Sequence, residues 1–333
     1  MSTYGNNNAY NLLRNSIKKD IFSHFYIFFG PKNVGKKRMA LDFSNLLLCD
    51  LLVQDDPCNN CENCKKISLE THFDINIIDH NTPINGSTDS KSDQIRIGHI
   101  HEIIRVSNLG PFMSKHKIFI VDEAERLNIE ASNAFLKLLE EPPPHSIFLF
   151  LVNDISLLSP TIISRAQIIR LSEASEKVMS NYLAENFNLD KPTEDKIIQL
   201  SAGKIKLAES LANNISLLDD YKESYNRFFD YCNSDLSDRL NTSQKLSSRF
   251  RTDRNVIYNE LSLWADFCKI IIKKKYTKIH DLDYDNKLEN IFDINQINKT
   301  ILILLKTITS LKENANSRLV FDVMGLNIPG KKD

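Results

Sequence analysis

No unbroken apolar stretch in this sequence reaches the roughly 18 residues that a membrane-spanning helix needs. The opening residues, MSTYGNNNAY, are polar rather than a charged-then-apolar export signal. The expected location is the cytoplasm, with no membrane partner. Net charge is missing too: 42 Lys and Arg against 43 Asp and Glu leave a formal charge of −1. No global field therefore draws the chain toward DNA or acidic lipid, and any contact with nucleic acid has to be local or supplied by partners. Internal repeats are also lacking. Six cysteines are present, four of them within the first 64 residues. In a cytosolic chain such crowding points to metal or unpaired thiols and away from disulfides.

What is there begins with size: 333 residues, 42% hydrophobic, enough for two or three domains at about 150 residues each. Short apolar runs alternate with helix-like segments: Phe25 to Phe29 (FYIFF), Ile75 to Ile78 (INII), Lys117 to Val121 (KIFIV), Ile147 to Val152 (IFLFLV) and Gln167 to Leu171 (QIIRL). Continuous apolar strands separated by helices predict a parallel sheet covered on both faces, hence an α/β P-loop core over residues 1–172. Residues Asn81 to Gln94 are too polar to anchor themselves and are expected to form a surface loop. Past Leu171 the strands stop. Helical periodicity over 173–213, with Pro192 near a helix start and Ala202-Gly203 between helices, predicts a small helical lid. Residues 214–333 carry apolar positions at three-to-four spacing, notably Tyr258 to Ile272 and Ile297 to Leu311, and predict an all-α bundle. The basic run Lys273 to Lys275 is expected to be a solvated helix end.

Residues Gly30 to Lys37 read GPKNVGKK, a phosphate-binding loop of the G-x-x-x-x-G-K-[ST] type in every position except the last. Gly30 and Gly35 let backbone N–H groups curl around a phosphate, and Lys36 reaches its outer oxygens. Lys37 stands where a Ser or Thr hydroxyl normally holds Mg²⁺, and an ammonium cannot coordinate that ion. The cradle is kept and the metal ligand is lost, so binding of ATP and Mg²⁺ stays open. Asp122 and Glu123 end an apolar strand, KIFIVDE, as the carboxylates of a P-loop ATPase do. They either serve Mg²⁺ and the attacking water or persist as sheet-edge and interface residues. Cys49, Cys58, Cys61 and Cys64 follow a C-x8-C-x2-C-x2-C spacing, sufficient for a closed tetrahedral Zn²⁺ site of structural type. Pro57, Asn59, Asn60 and Asn63 suit the tight turns of such a knuckle. Cys232 and Cys268 fall on helical segments and read as core. Leu136 to Pro144 reads as an amphipathic helix stopped by prolines. Arg165 follows a strand, a loop and a short helical turn, either as an ordinary surface arginine or as one that reaches a neighbour's γ-phosphate. Lys206 lies early in a later helix, solvated or facing a nucleotide.

Together, His24 to Lys37, the four-cysteine module, Ile95 to Val152 and Leu157 to Ala166 resemble the bacterial clamp-loader ATPase family over about half of the chain. That resemblance implies an AAA+ module, a helical lid and a C-terminal helical collar through which subunits form a ring. It implies gamma/tau and delta subunits as partners, with a sliding clamp and primed DNA reached through the complex. Some members hydrolyse ATP, whereas others keep a damaged nucleotide site and lend an arginine to a neighbour. Arg165 holds that arginine's place, followed by Ala166 where Cys is usual. Asn153 holds the place of the polar sensor, and Lys206 that of the second-sensor arginine. Two other readings are an active ATPase of the gamma/tau class using Lys36, Asp122 and Glu123, and a zinc-containing interaction module on a relic fold.

Overall fold

The computed structural model describes residues 5–84, 93–277 and 292–330. The side chains of Lys273 and Lys274, and most of the expected loop Asn81 to Gln94, lie outside the described residues. The chain forms two compact units, Met1–Tyr182 with Gly203–Leu207, and Leu183–Ala202 with Ala208–Asp333.

The first unit opens with α1 (Asn7–Lys18), β1 (Phe25–Phe29) and α2 (Lys36–Leu48). A small hairpin, β2 (Leu52–Val53) and β3 (Asp56–Pro57), leads to α3 (Glu62–Ser68) and β4 (Ile75–Ile78). Then come α4 (Ile97–Ser107), β5 (Lys117–Val121), α5 (Ile129–Glu140), β6 (Ser146–Val152), α6 (Pro160–Ile163) and β7 (Gln167–Arg170). The main sheet has five strands in the order β4-β5-β6-β1-β7, with every neighbouring pair parallel. It is the AAA+ P-loop arrangement, with β1 and its following loop in the sheet's interior.

Period-two alternation divides the apolar strands between two cores. Phe25, Ile27, Phe119, Val121, Phe148 and Phe150 pack on one face with residues of α4 and α5. Tyr26, Phe28, Ile118, Ile120, Leu149 and Leu151 pack on the other with Met39, Phe43 and Leu47 of α2 and Leu13 of α1. Burial on both faces is what makes these strands unbroken apolar runs. Aromatic contacts knit the layers: the ring of Phe135 lies 4.6 Å from that of Phe150, and Tyr26 lies 4.9 Å from Phe43. In α5, Asn128 caps the start by accepting from Ala131 N–H at 2.8 Å, and Glu141 with the prolines that follow ends it.

Every secondary-structure element among the described residues of the second unit is a helix. The helices Ser216–Asn233 and Arg254–Thr277 bring Phe228 and Tyr231 against Trp264, with ring centroids 5.1 and 5.5 Å apart. Cys232 and Cys268 are both buried, as expected of core thiols. Arg239, in the helix Leu236–Thr252, is buried and donates to Ile328 O and Cys232 O, each at 2.7 Å, tying Ile328 to the end of the helix Ser216–Asn233. The helices Lys191–Ser201, Ile294–Lys312 and Ser317–Asn327 also belong to the unit. No described helix is long and apolar enough to cross a membrane.

Candidate functional site: a phosphate loop, a thiol cluster and a surface arginine

The loop between β1 and α2 is fixed at both ends by glycine. A Cβ on Gly30 would stand 2.2 Å from Leu171 O, so no side chain fits there. Gly35 adopts φ 103° as the N-cap of α2, a conformation costly for any residue with a Cβ. Lys36, the first helical residue, is buried, and its ammonium donates to Gly30 O at 2.8 Å, Pro31 O at 2.9 Å and Asn153 Oδ1 at 2.8 Å. Burial pulls this lysine down to about 8, against the carboxylates of Glu125, Asp122 and Glu123, which hold it up.

Asp122 directly follows β5 and is pushed above the usual carboxylate range, first by burial. Its Oδ1 accepts from Glu123 N–H at 3.0 Å. Glu123 sits at φ 51°, a left-handed conformation uncommon for a residue with a side chain. Its carboxylate is paired with Arg126 Nε at 2.7 Å. Lys206 N–H donates to Asn33 O at 3.1 Å, tying the start of its helix to the loop. Thus Gly30, Gly35, Lys36, Asp122, Asn153 and Lys206 gather around one loop. Lys37 faces elsewhere: its ammonium is 2.5 Å from Glu70 Oε2, beyond α3.

The four cysteine sulfurs form a second centre, each within 4.8 Å of the others. Cys49 closes α2 and Cys61 is the N-cap of α3, so helix ends place two of the four thiols. The Sγ separations are 3.8 Å for Cys58 and Cys64, 3.4 Å for Cys61 and Cys64, and 3.5 Å for Cys64 and Cys49. A tetrahedron built on metal–sulfur bonds of about 2.3 Å has edges of about 3.8 Å, so the spacing suits one metal ion. Backbone N–H groups of Cys58, Cys61 and Cys64 donate to the sulfurs of Cys49, Cys58 and Cys61 at 3.3, 3.3 and 3.4 Å. The N–H groups of Asn60 and Cys61 draw the Cys58 thiol down to about 6, favouring the thiolate that binds metal. The four cysteines can therefore hold a metal ion. Asn59 takes a left-handed turn conformation, φ 58°, as the turn reading requires. Asn63 does something else. Buried in α3, it donates to Leu48 O at 2.9 Å and Asp50 Oδ1 at 2.8 Å and contacts His72 Nε2 at 3.0 Å, bracing the knuckle.

Arg165 lies apart from both centres, after the short α6, and is 39% exposed at its side chain. Its guanidinium donates to Thr161 O at 3.0 Å and Glu140 Oε1 at 2.9 Å. Sequence reasoning missed Glu125, which lies at the heart of the loop site. Its Oε1 accepts from Asn153 N–H at 3.1 Å and Asn153 Nδ2 at 2.6 Å. DEAE offers three acids, and only the 3₁₀ turn Ala124–Arg126 decides which of them faces inward.

A parallel five-stranded sheet, a glycine-bounded loop after its first strand and an acidic strand end beside that loop define an AAA+ P-loop protein. Residues 5–175 match the family described as DNA polymerase III, delta subunit, and the chain belongs to that family. It is similar to DNA polymerase III subunit tau of Bacillus subtilis (strain 168), 30% identical over 212 residues, which make up 62% of this chain and 35% of that protein. It is similar also to DNA polymerase III subunit delta' of the same organism, 32% identical over 174 residues, 52% of this chain and 50% of that protein. The match thus spans between about a third and a half of these relatives. Among solved structures, a DNA polymerase III gamma subunit-related protein from Thermotoga maritima is 16% identical with a TM-score of 0.46, covering 96% of this chain and 99% of that one.

Proposed function

We propose that the chain is a delta-prime-like subunit of a DNA polymerase III clamp loader. It helps place a sliding clamp on primed DNA, with gamma/tau and delta subunits as its ring partners. Its own ATPase is weak or absent, and its contribution to chemistry is Arg165, offered to the ATP of a neighbouring subunit. One observation carries the reading: position 37 has an ammonium paired with Glu70 where an active loop has a hydroxyl for Mg²⁺. A subunit that cannot ligate the metal acts through the geometry it lends to others. Arg165 supports this, being a partly exposed guanidinium held only by surface groups. A planar, always charged fork suits the equatorial oxygens of a transferring phosphoryl group.

Within this reading, residues 1–172 are the AAA+ module, 173–213 the lid and 214–333 the collar that joins the ring. The thiol cluster holds one structural Zn²⁺ through Cys49, Cys58, Cys61 and Cys64. The test is to reconstitute the complex with gamma-type partners and replace Arg165→Ala. Turnover of the assembled loader is expected to fall about tenfold or more, since such arginines contribute large factors at the site they complete. The isolated variant should unfold near the wild-type midpoint, because only an exposed ion pair and one exposed hydrogen bond are lost. Unchanged turnover removes the trans-acting role. Similarity to relatives named tau favours one other reading, an active ATPase. It requires ATP hydrolysis by the isolated chain that Lys36→Ala abolishes.

A further inference from the structure

Lysine carries three N–H donors, and the chain itself takes all three at Lys36: Gly30 O, Pro31 O and Asn153 Oδ1. The third acceptor is aimed from behind. Glu125 Oε1 accepts from both the backbone N–H and the amide Nδ2 of Asn153, at 3.1 and 2.6 Å. With its nitrogen committed to Glu125, the amide can present only its oxygen to Lys36. The other oxygen of Glu125, Oε2, is buried and has no hydrogen-bond partner among the described residues. Among the carboxylates that act on the Lys36 ammonium, Glu125 acts most strongly. Lysine and glutamate are thus linked through Asn153.

We propose that Glu125 is a positioning residue which, through Asn153, keeps Lys36 bonded to its own chain, so that a nucleoside triphosphate enters the loop only by displacing Asn153 from the lysine. In a nucleotide-bound loop of this type the lysine reaches the outer phosphate oxygens. Here an arriving phosphate finds every donor of the ammonium already occupied. The state of the loop is therefore set by a residue outside the loop. The inference concerns the chain's own pocket and stands apart from the Arg165 reading, whose measurement is turnover of the assembled complex.

The test is calorimetric titration of the full chain with ATP. Asn153→Ala and Glu125→Ala are expected to bind ATP about tenfold or more tightly than the unaltered protein, the scale of one hydrogen bond to a charged group. Glu125→Gln keeps an oxygen that accepts from Asn153 and should stay near the unaltered affinity. Adding Lys36→Ala to either tightened variant should erase the gain. Circular dichroism establishes that each variant is folded. Should Asn153→Ala fail to fold, Asn153→Ser carries the same expectation, being too short to reach the lysine. Alanine variants that bind ATP no more tightly would overturn the proposal, as would an unaltered chain that already binds at micromolar ATP. A Glu125→Gln variant that tightens as much as Glu125→Ala would also overturn it, because charge and not aim would then be at work.

Discussion

Asp74, fully buried just before β4, accepts from the N–H groups of Phe112, Met113 and Ser114 at 2.6, 2.9 and 2.9 Å. A single carboxylate thereby satisfies three amides of the turn that leads into β5, and it holds Phe112, 79% exposed, with its ring 5.5 Å from that of Phe73. Asp74→Ala leaves those amides without an acceptor and is expected to destabilise the protein by about 3–5 kcal/mol, as measured by urea unfolding. Nothing in the sequence marks this residue, since its partners are some forty positions away and are backbone groups. The same holds for Asn63, whose asparagine-rich surroundings suggest a turn while its amide braces the metal knuckle. Residues with a local pattern were legible: the loop glycines, Lys36 and the four cysteines all announce themselves by spacing. Residues that act through a distant backbone or through one chosen oxygen, such as Glu125, were not.

At the scale of elements, the five strands of the main sheet agree with the apolar runs to within one residue at each end, because a strand buried on both faces leaves no polar interruption. The hairpin β2–β3 went unread. Its strands have two residues each and its turn, Gln54-Asp55, reaches left-handed angles of 52° and 66° without the Asn-Gly signature. The helix α1 also went unread, although Tyr10, Leu13 and Ile17 stand at three-to-four spacing on the face that packs against the core. Inside α2, Asp42 is buried and only loosely paired, with Arg38 Nε 3.2 Å away, and burial pushes its carboxyl up to about 6. A raised carboxylate favours the protonated form in the fold, so the native chain keeps a proton that the unfolded chain releases. Its contribution to stability therefore falls as pH rises through about 4 to 6. Asp42→Asn should match the parent near pH 4 and exceed it by about 1–3 kcal/mol at pH 7, in urea titrations run at both.

For the whole molecule, metal is the simplest lever. Protein purified without chelator is expected to carry about one Zn²⁺ per chain, and chelation should lower its unfolding midpoint, because the energy of binding is folding energy for such a site. Absence of zinc on elemental analysis, or a midpoint indifferent to chelator, counts against the assignment. Cys64→Ser should lose the ion while Cys268→Ser retains it, since Cys268 is buried among helices of the second unit.

One helix joins what the cysteines and the loop do separately. Its first residue is the lysine of the phosphate loop and the residue after its last is a thiol of the metal knuckle. Thirteen helical residues make a rod about 20 Å long. A helix of that length fixes the separation of its ends, so one continuous element sets how far the phosphate loop stands from the thiol cluster.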